Sequence, residues 1–303
     1  MAANIGYPSP NVMSRRTPIP MALSKGRKKL VERLLHPRFR AREGMFVVEG
    51  IRASREFLER AGDTAGTRPP SIRFALVSPR CREGKGGRDL LRALEGVGVS
   101  TEEVEDRELE ALSGTEQPQG VLLVLEEAGG GMEALSEYLE KVDRPRILVL
   151  DGVQDPGNAG SLIRSAQAFG LHGAVALDGT VDPFNHKVVR ATAGGLAHLP
   201  VVRAAWSAFL PWVRDRGIPL LVGDAGGEDV REVPIPDSWA LAVGNEGSGP
   251  RPELLEEAYR VLGIPMARGV GTLNAGLAGA ILLFALAAPG PGGDPDPGTN
   301  VED

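Results

Sequence analysis

The residues able to do chemistry lie in three glycine-containing segments, each directly behind an apolar run. The first, residues 151–170, follows the run ending at Leu150 and carries Asn158 and Arg164 around the start of a helix. The second, residues 241–250, runs from Leu241 through Gly244, Glu246, Gly247 and Gly249. The third, residues 264–283, runs from Ile264-Pro265 through a glycine-rich loop to Leu273-Asn274 and an apolar helix. Glycines let a ligand approach the backbone closely and permit positive φ. The asparagine, arginine and glutamate add an amide, a fixed cation and a carboxylate at the same turns. Each segment alone also fits a plainer reading: Asn158 and Asn274 as helix caps, Arg164 as a surface residue, and the Glu246 turn as a strand–helix joint.

A crevice of this kind needs strands and helices to hold it. Apolar runs of strand length fall at residues 147–150, 174–177, 219–222, 239–243 and 259–264, with helical stretches between several of them. Continuous apolar strands alternating with helices imply a parallel sheet covered on both faces, and ligands sit beyond the carboxyl ends of such strands. Upstream, residues 45–48, 73–78 and 121–125 read as strands. Residues 25–35, with Leu30, Val31, Leu34 and Leu35 on one stripe and Ser24 as cap, read as a helix, as do 51–60 and 89–94. This gives a small α/β unit over residues 23–126 and a joint with a short helix at 127–144, opened by Gly129-Gly130-Gly131. A larger α/β domain follows at 145–287, with disordered tails at 1–22 and 288–303.

The 303 residues are 42% hydrophobic and 24% charged, a globular composition. One cysteine, Cys81, excludes an intramolecular disulfide framework and a cysteine-built zinc site, and the four histidines show no metal spacing. The near-apolar run 273–288 is interrupted by Asn274 and is short for a membrane span, so it reads as a core helix. No charged stretch followed by an apolar run opens the sequence, so a secretory signal is not expected and a cytoplasmic protein is. The net charge of −6 hides an excess of eight positive charges within residues 1–44. Lys25, Arg27, Lys28, Arg38, Arg40 and Arg42 belong to that basic end, and nucleic acid is the usual partner for it.

The three segments, in this order, resemble the SpoU/TrmH-type RNA methyltransferases of the SPOUT superfamily. The first matches as Asn158, Gly160, Arg164 and residues 166–170 (Ala-Gln-Ala-Phe-Gly), the second as Gly244, Glu246, Gly247 and Gly249, and the third as Ile264, Pro265, Leu273 and Asn274. Phe46-Val-Val-Glu-Gly50 and Gln117-Pro-Gln-Gly120 resemble that family's small ribosomal-protein-like RNA-binding domain. The likeness covers residues 24–286. It departs at Thr272-Leu-Asn-Ala-Gly276, where the family has serines at both ends.

The resemblance implies transfer of a methyl group from S-adenosylmethionine to a ribose 2′-oxygen of RNA, with ribosomal RNA as the expected substrate. It implies a parallel sheet tied into a deep trefoil knot, a rare exception to unknotted topology, and a homodimer paired through the knotted domain. Gly244, Ile264 and Leu273, with Leu241 and Gly249, are expected to hold the cofactor, and no metal is expected. Arg164, Asn158, Glu246 and Asn274 are expected at the catalytic centre, with Arg164 binding RNA phosphate and stabilising the developing alkoxide. The apolar 277–288 helix and the 199–213 stretch are candidates for interface or core. Transfer RNA as substrate, a resistance methylase, and a non-catalytic RNA-binding or ribosome-assembly protein are the alternatives.

Overall fold

The computed structural model describes residues 25–61, 70–115, 117–267 and 273–287. Ser24, Thr272 and both expected tails lie outside the described residues.

The first half contains α1 (Lys25–Leu34), α2 (Pro37–Glu43), β1 (Met45–Glu49), α3 (Ile51–Arg60), β2 (Ser71–Val77), α4 (Pro79–Glu83), α5 (Lys85–Gly96), β3 (Thr101–Glu103), α6 (Asp106–Leu112) and β4 (Val121–Glu126). Its four strands form one sheet in the order β1-β4-β2-β3, with β4 antiparallel to both neighbours and β2 parallel to β3. Period-two alternation splits this sheet into two faces. Phe46, Val48, Ala75 and Val77 pack with Phe57 of α3 and Leu90 and Leu94 of α5, in a cluster that continues into the second half of the chain. Val47, Phe74, Leu76 and Leu122 face the other way, under Val31 and Leu34 of α1 and Leu109 and Leu112 of α6.

The second half contains α7 (Gly131–Leu139), β5 (Arg146–Leu150), α8 (Pro156–Ala168), β6 (Gly173–Leu177), α9 (His186–Ala191), β7 (Val201–Ala204), α10 (Trp206–Asp215), β8 (Leu220–Asp229), β9 (Trp239–Val243), α11 (Pro252–Glu256), β10 (Arg260–Gly263) and α12 (Ala275–Ala287). The six strands make one sheet in the order β10-β8-β9-β5-β6-β7, and every pairing is parallel. Leu148, Leu150, Leu241 and Val243 point to one face, with α8 and α12. Ile147, Val149, Ala240 and Ala242 point to the other, with Leu135 and Leu139 of α7 and Phe209 and Val213 of α10. The 199–213 stretch therefore supplies core, through β7 and α10. No described helix is long and apolar enough to cross a membrane.

The helix α12 lies close against α8 and β9. A Cβ on Gly279 would fall 2.3 Å from Leu162 and 3.0 Å from Val243. Alanine normally improves a helix interior over glycine by up to about 1 kcal/mol. Here overpacking reverses the sign, and Gly279→Ala should destabilise the protein by about 1–3 kcal/mol, read as a lowered melting temperature.

The two halves share a polar junction as well as a core. The Arg40 side chain is 1% exposed, and its Nε donates to Asp182 Oδ2 at 2.6 Å. Asp182 also accepts from Arg203, whose other side grips Glu127 at the end of β4. Phe46 meets Phe184 with ring centroids 5.0 Å apart.

Candidate active site

The three segments converge at the carboxyl end of the second sheet. The loop after β9 is stapled to the loop after β5 by five side chains. Asn245 donates from Nδ2 to the Gly152 carbonyl at 2.8 Å, and Arg251 donates from its backbone and Nε to the Asp151 carboxylate. Glu246 accepts from the backbone amides of Gln154 and Asp155, each at 3.1 Å, and from Asn158 Nδ2 at 2.9 Å. Burial pushes the Glu246 carboxyl up, but these hydrogen bonds outweigh it and hold the group below the ordinary carboxylate range. A glutamate with a depressed folded pKa contributes above its unfolded value, about 4.3, and loses that contribution only as pH falls through the lower folded value. Cofactor affinity should therefore be flat between pH 8 and about pH 5. Glu246→Ala, which removes the acceptor shared by three donors, should weaken it across the whole range. Calorimetric titration at each pH reads both.

Asn158 does not cap its helix. Asp155 does so, accepting from the Asn158 amide at 2.8 Å, with Pro156 in the first turn. This leaves the Asn158 side chain for Glu246. Asn274 does act as a cap, its Oδ1 accepting from the Leu277 amide at 3.1 Å. The two asparagines meet over Gly276: a Cβ there would lie 2.9 Å from Asn158 Oδ1 and 3.1 Å from Asn274 Oδ1. Asn158, Glu246 and Asn274 are thus brought together. Arg164 is not joined to them. It is exposed on α8 and makes no hydrogen bond or ion pair among the described residues. Six residues along a helix turn it well off the Asn158 face.

Beside the clamp lies a cavity of about 360 Å³, lined by Gly244, Glu246, Gly249, Ile264, Leu273 and the first turns of α12. Its size falls within the range of small-molecule sites, about 300–1,000 Å³. Leu241 does not reach it: the side chain is 0% exposed in the middle of β9 and packs in the core beneath. Gly223, Asp224 and Met266 do line it and were absent from the sequence expectations. The β10 ladder pairs Val261 with Val222 and then Leu262 with Glu228, so the residues between bulge out and bring Asp224 to the cavity. The sequence carried a signal, since Val222-Gly223-Asp224 repeats the Val243-Gly244-Asn245 pattern one strand over. A second cavity of about 360 Å³ between α7 and β7 gathers none of the motif residues. Among the described residues no cluster of ligating side chains could hold a metal.

The basic end is only partly available to a partner. Lys25 and Arg38 are exposed. Arg40 is not a phosphate ligand in this structure, because Asp182 and the Leu34 carbonyl take its guanidinium inside the protein. Arg27 pairs with Glu102 at 2.9 Å and lies over Phe74, and Arg42 pairs with Glu43 at 2.5 Å. Lys28 sits half-buried on α1, the helix on the sheet face away from the second half.

Residues 145–284 match the family described as SpoU rRNA Methylase family, and residues 47–129 match RNA 2′-O ribose methyltransferase substrate binding. The 23S rRNA (guanosine-2′-O-)-methyltransferase RlmB of Salmonella typhi is 30% identical over 241 residues, 78% of this chain and 96% of that protein. The chain belongs to the SpoU family of RNA methyltransferases. The 23S rRNA (guanosine(2553)-2′-O)-methyltransferase RlmP of Bacillus subtilis is 40% identical over 143 residues, 46% of this chain and 57% of that protein. The SpoU methyltransferase AviRb of Streptomyces viridochromogenes, solved with AdoMet, aligns with a TM-score of 0.74 and 28% identity over 86% of this chain and 96% of that one. The cofactor of this SpoU protein is S-adenosylmethionine, and the cavity behind β8, β9 and β10 fits it. The space is mainly backbone and apolar walls, with Asp224 and Glu246 as carboxylates toward a cationic ligand.

Proposed function

We infer that this protein transfers a methyl group from S-adenosylmethionine to a ribose 2′-hydroxyl of ribosomal RNA. The observation that carries the reading is the clamp of Asn158 and Glu246, with Asn274 beside it, at the glycine-walled cavity, Asn158 lying on the same helix that bears Arg164. When bound, the cofactor supplies an electrophilic methyl group on a sulfonium centre. Gly244, Gly249, Ile264 and Leu273 hold it through backbone and apolar contact, and Asp224 is placed to accept hydrogen bonds from it. Asn158 and Glu246 keep the two loops in register, since alignment supplies much of the rate in such a displacement. Arg164 binds the RNA phosphate and stabilises the negative charge that develops on the ribose oxygen. Arginine acts in proteins as a fixed cation with donors only, which favours this role over that of a base.

The RlmB and RlmP relatives act on guanosines of 23S rRNA, so a guanosine ribose of the large-subunit RNA is the substrate to examine first. Nucleoside mass spectrometry of that RNA from cells with and without the gene is the test. One 2′-O-methyl nucleoside should be lost on deletion, and an unchanged profile contradicts the reading.

The rest of the assembly follows from the same reading. Residues 23–126 serve as the RNA-binding domain, 127–144 as linker and 145–287 as the catalytic domain. A trefoil knot is supported by the strand order: β9 inserts between β5 and β8, β10 lies beyond β8, and α12 comes back against α8. A homodimer is supported by α12, which is apolar all round yet leaves Leu277 53% and Phe284 61% exposed on one stripe. Helices apolar on every side are normally buried, and a second copy would cover the stripe. Leu277→Asp with Phe284→Asp should convert the dimer to monomer in sedimentation velocity. The site of action is the cytoplasm, where ribosomal RNA is found.

A further inference from the structure

A cavity of about 240 Å³ opens at the junction of the two halves, between the β1–α3 turn, residues Thr115, Gln117 and Gln119, and α9. Its walls include Glu49, Arg52, Gln117, Gln119 and Arg190, none of which lines the cofactor cavity. Glu49, the lining carboxylate among the described residues, is spoken for: it accepts from the Ser113 hydroxyl, from the Thr115 hydroxyl at 2.8 Å and from the Gly114 amide at 3.1 Å. Glu49 therefore shapes the loop. Gln119 gives its Oε1 to the Ile51 amide at 2.8 Å and keeps its NH₂ for a partner, and Gln117 is exposed. Two guanidinium groups and two amides around a small hole offer phosphate contacts together with donors and acceptors for a base edge.

Two further observations connect this hole to Arg164. The strip following α9 runs between α3 and α8. A Cβ on Gly194 would meet Glu56 of α3, and one on Gly195 would lie 3.6 Å from the Cα of Arg164. Ala193, which lines the hole, holds φ at 51° in the left-handed region, a conformation that clusters at functional turns. The second observation is charge. Arg52 and Arg55 of α3, Arg190 of α9 and Arg164 of α8 have no carboxylate partner among the described residues. Elsewhere arginines are mostly paired, as in Arg33 with Glu43, Arg73 with Glu126 and Arg260 with Glu228. The exceptions Arg38, Arg88, Arg107 and Arg146 sit on α2, on α5, on α6 and at the start of β5. Unneutralised cations along one route are what a phosphate backbone needs.

We propose that a single-stranded stretch of the RNA substrate crosses the α3–α9 face, with one unpaired nucleotide seated in this cavity, its phosphates on Arg52 and Arg190 and its base edge against Gln117 and Gln119. This extends the RNA-methyltransferase reading and rests on it. The strand then reaches Arg164 along residues 190–195, so the seated nucleotide sets which ribose is delivered. RNA presents splayed bases for recognition in loops and bulges, not in regular duplex. The route lies on the opposite sheet face from α1, so the α1 cations do not form it.

The test uses the full-length protein, saturating S-adenosylmethionine and unmodified 23S rRNA transcribed with 4-thiouridine. Photo-crosslinks should map to residues 49–53, 113–119 and 186–193. Arg52→Ala and Arg190→Lys should each weaken transcript binding, Arg52→Ala by about tenfold. Arg52→Ala should also reduce the slope of log affinity against log salt by about 0.7, with cofactor affinity and melting temperature unchanged. Arg107→Ala, the same charge change on α6, should leave binding as in the wild type. Equal loss from Arg107→Ala, or crosslinks confined to α1, overturns the proposal. Methyl transfer with crosslinks elsewhere sinks the subsite alone. Crosslinks at the cavity without any methyl transfer sink the enzymatic reading and leave the subsite standing.

Discussion

Arg164→Ala should lower methyl transfer by at least about 100-fold, the scale of removing one preorganised charge-stabilising group. The affinity for S-adenosylmethionine should not change. Arg164 lies outside the cofactor cavity, is exposed and holds no other side chain in place, so its removal does not disturb the clamp. RNA affinity should fall by no more than one phosphate contact, placing the loss in kcat and not in cofactor binding. Arg164→Lys keeps the charge but loses the planar fork and should recover only part of the rate. Single-turnover assays of the three proteins on the same transcript read all of this, and an alanine variant with wild-type turnover would remove Arg164 from the chemistry.

Asp182→Asn should be the most damaging change at the junction. The carboxylate serves Arg40 at 2.6 Å, Arg203 at 2.7 Å and the Phe184 amide at 3.1 Å. Arg40 is 1% exposed, so without Asp182 it becomes a buried cation lacking its counter-charge. Breaking one side of a buried pair costs about 3–5 kcal/mol, whereas replacing both members with apolar residues is often neutral. Arg40→Met with Asp182→Leu should accordingly recover much of the melting temperature that Asp182→Asn loses. Burial alone would raise the Asp182 carboxyl, but Arg203 and Arg40 outweigh it and lower it. The contribution is therefore complete above the unfolded value of about 3.9 and is lost as pH falls through the lower folded value. Melting temperatures should show no Asp182-dependent change above about pH 5. An Asp182→Asn protein as stable as the wild type would refute this account of the junction.

The sheet of the second half was legible because its strands are buried on both faces and read as unbroken apolar runs. The strand β7 was not, since Val201 and Val202 are only half-buried and merge with the aromatic run behind them. The clamp residues Asn158, Glu246 and Asn274 were legible as polar groups set in glycine-rich turns. Their division of labour was not, because the pairing of Asn158 with Glu246 spans 88 residues of sequence. Leu241 was misplaced because a strand's last exposed backbone and its buried middle look alike in an apolar run. Arg40 was misplaced for a related reason. Positive charge near the N-terminus gives no sign of which arginine finds a carboxylate 142 residues away. Asp224 was missed because the bulge that carries it to the cavity is a feature of register between β8 and β10.

In the proposed reaction a glycine-walled cofactor cavity serves an arginine that acts on a ribose oxygen. Incubation of the purified protein with methyl-labelled S-adenosylmethionine and unmodified 23S rRNA transcript, followed by digestion to nucleosides, tests it directly. Label is expected in a single 2′-O-methyl nucleoside, absent with Arg164→Ala. Label on a base, or none while the cofactor is demonstrably bound, would contradict it.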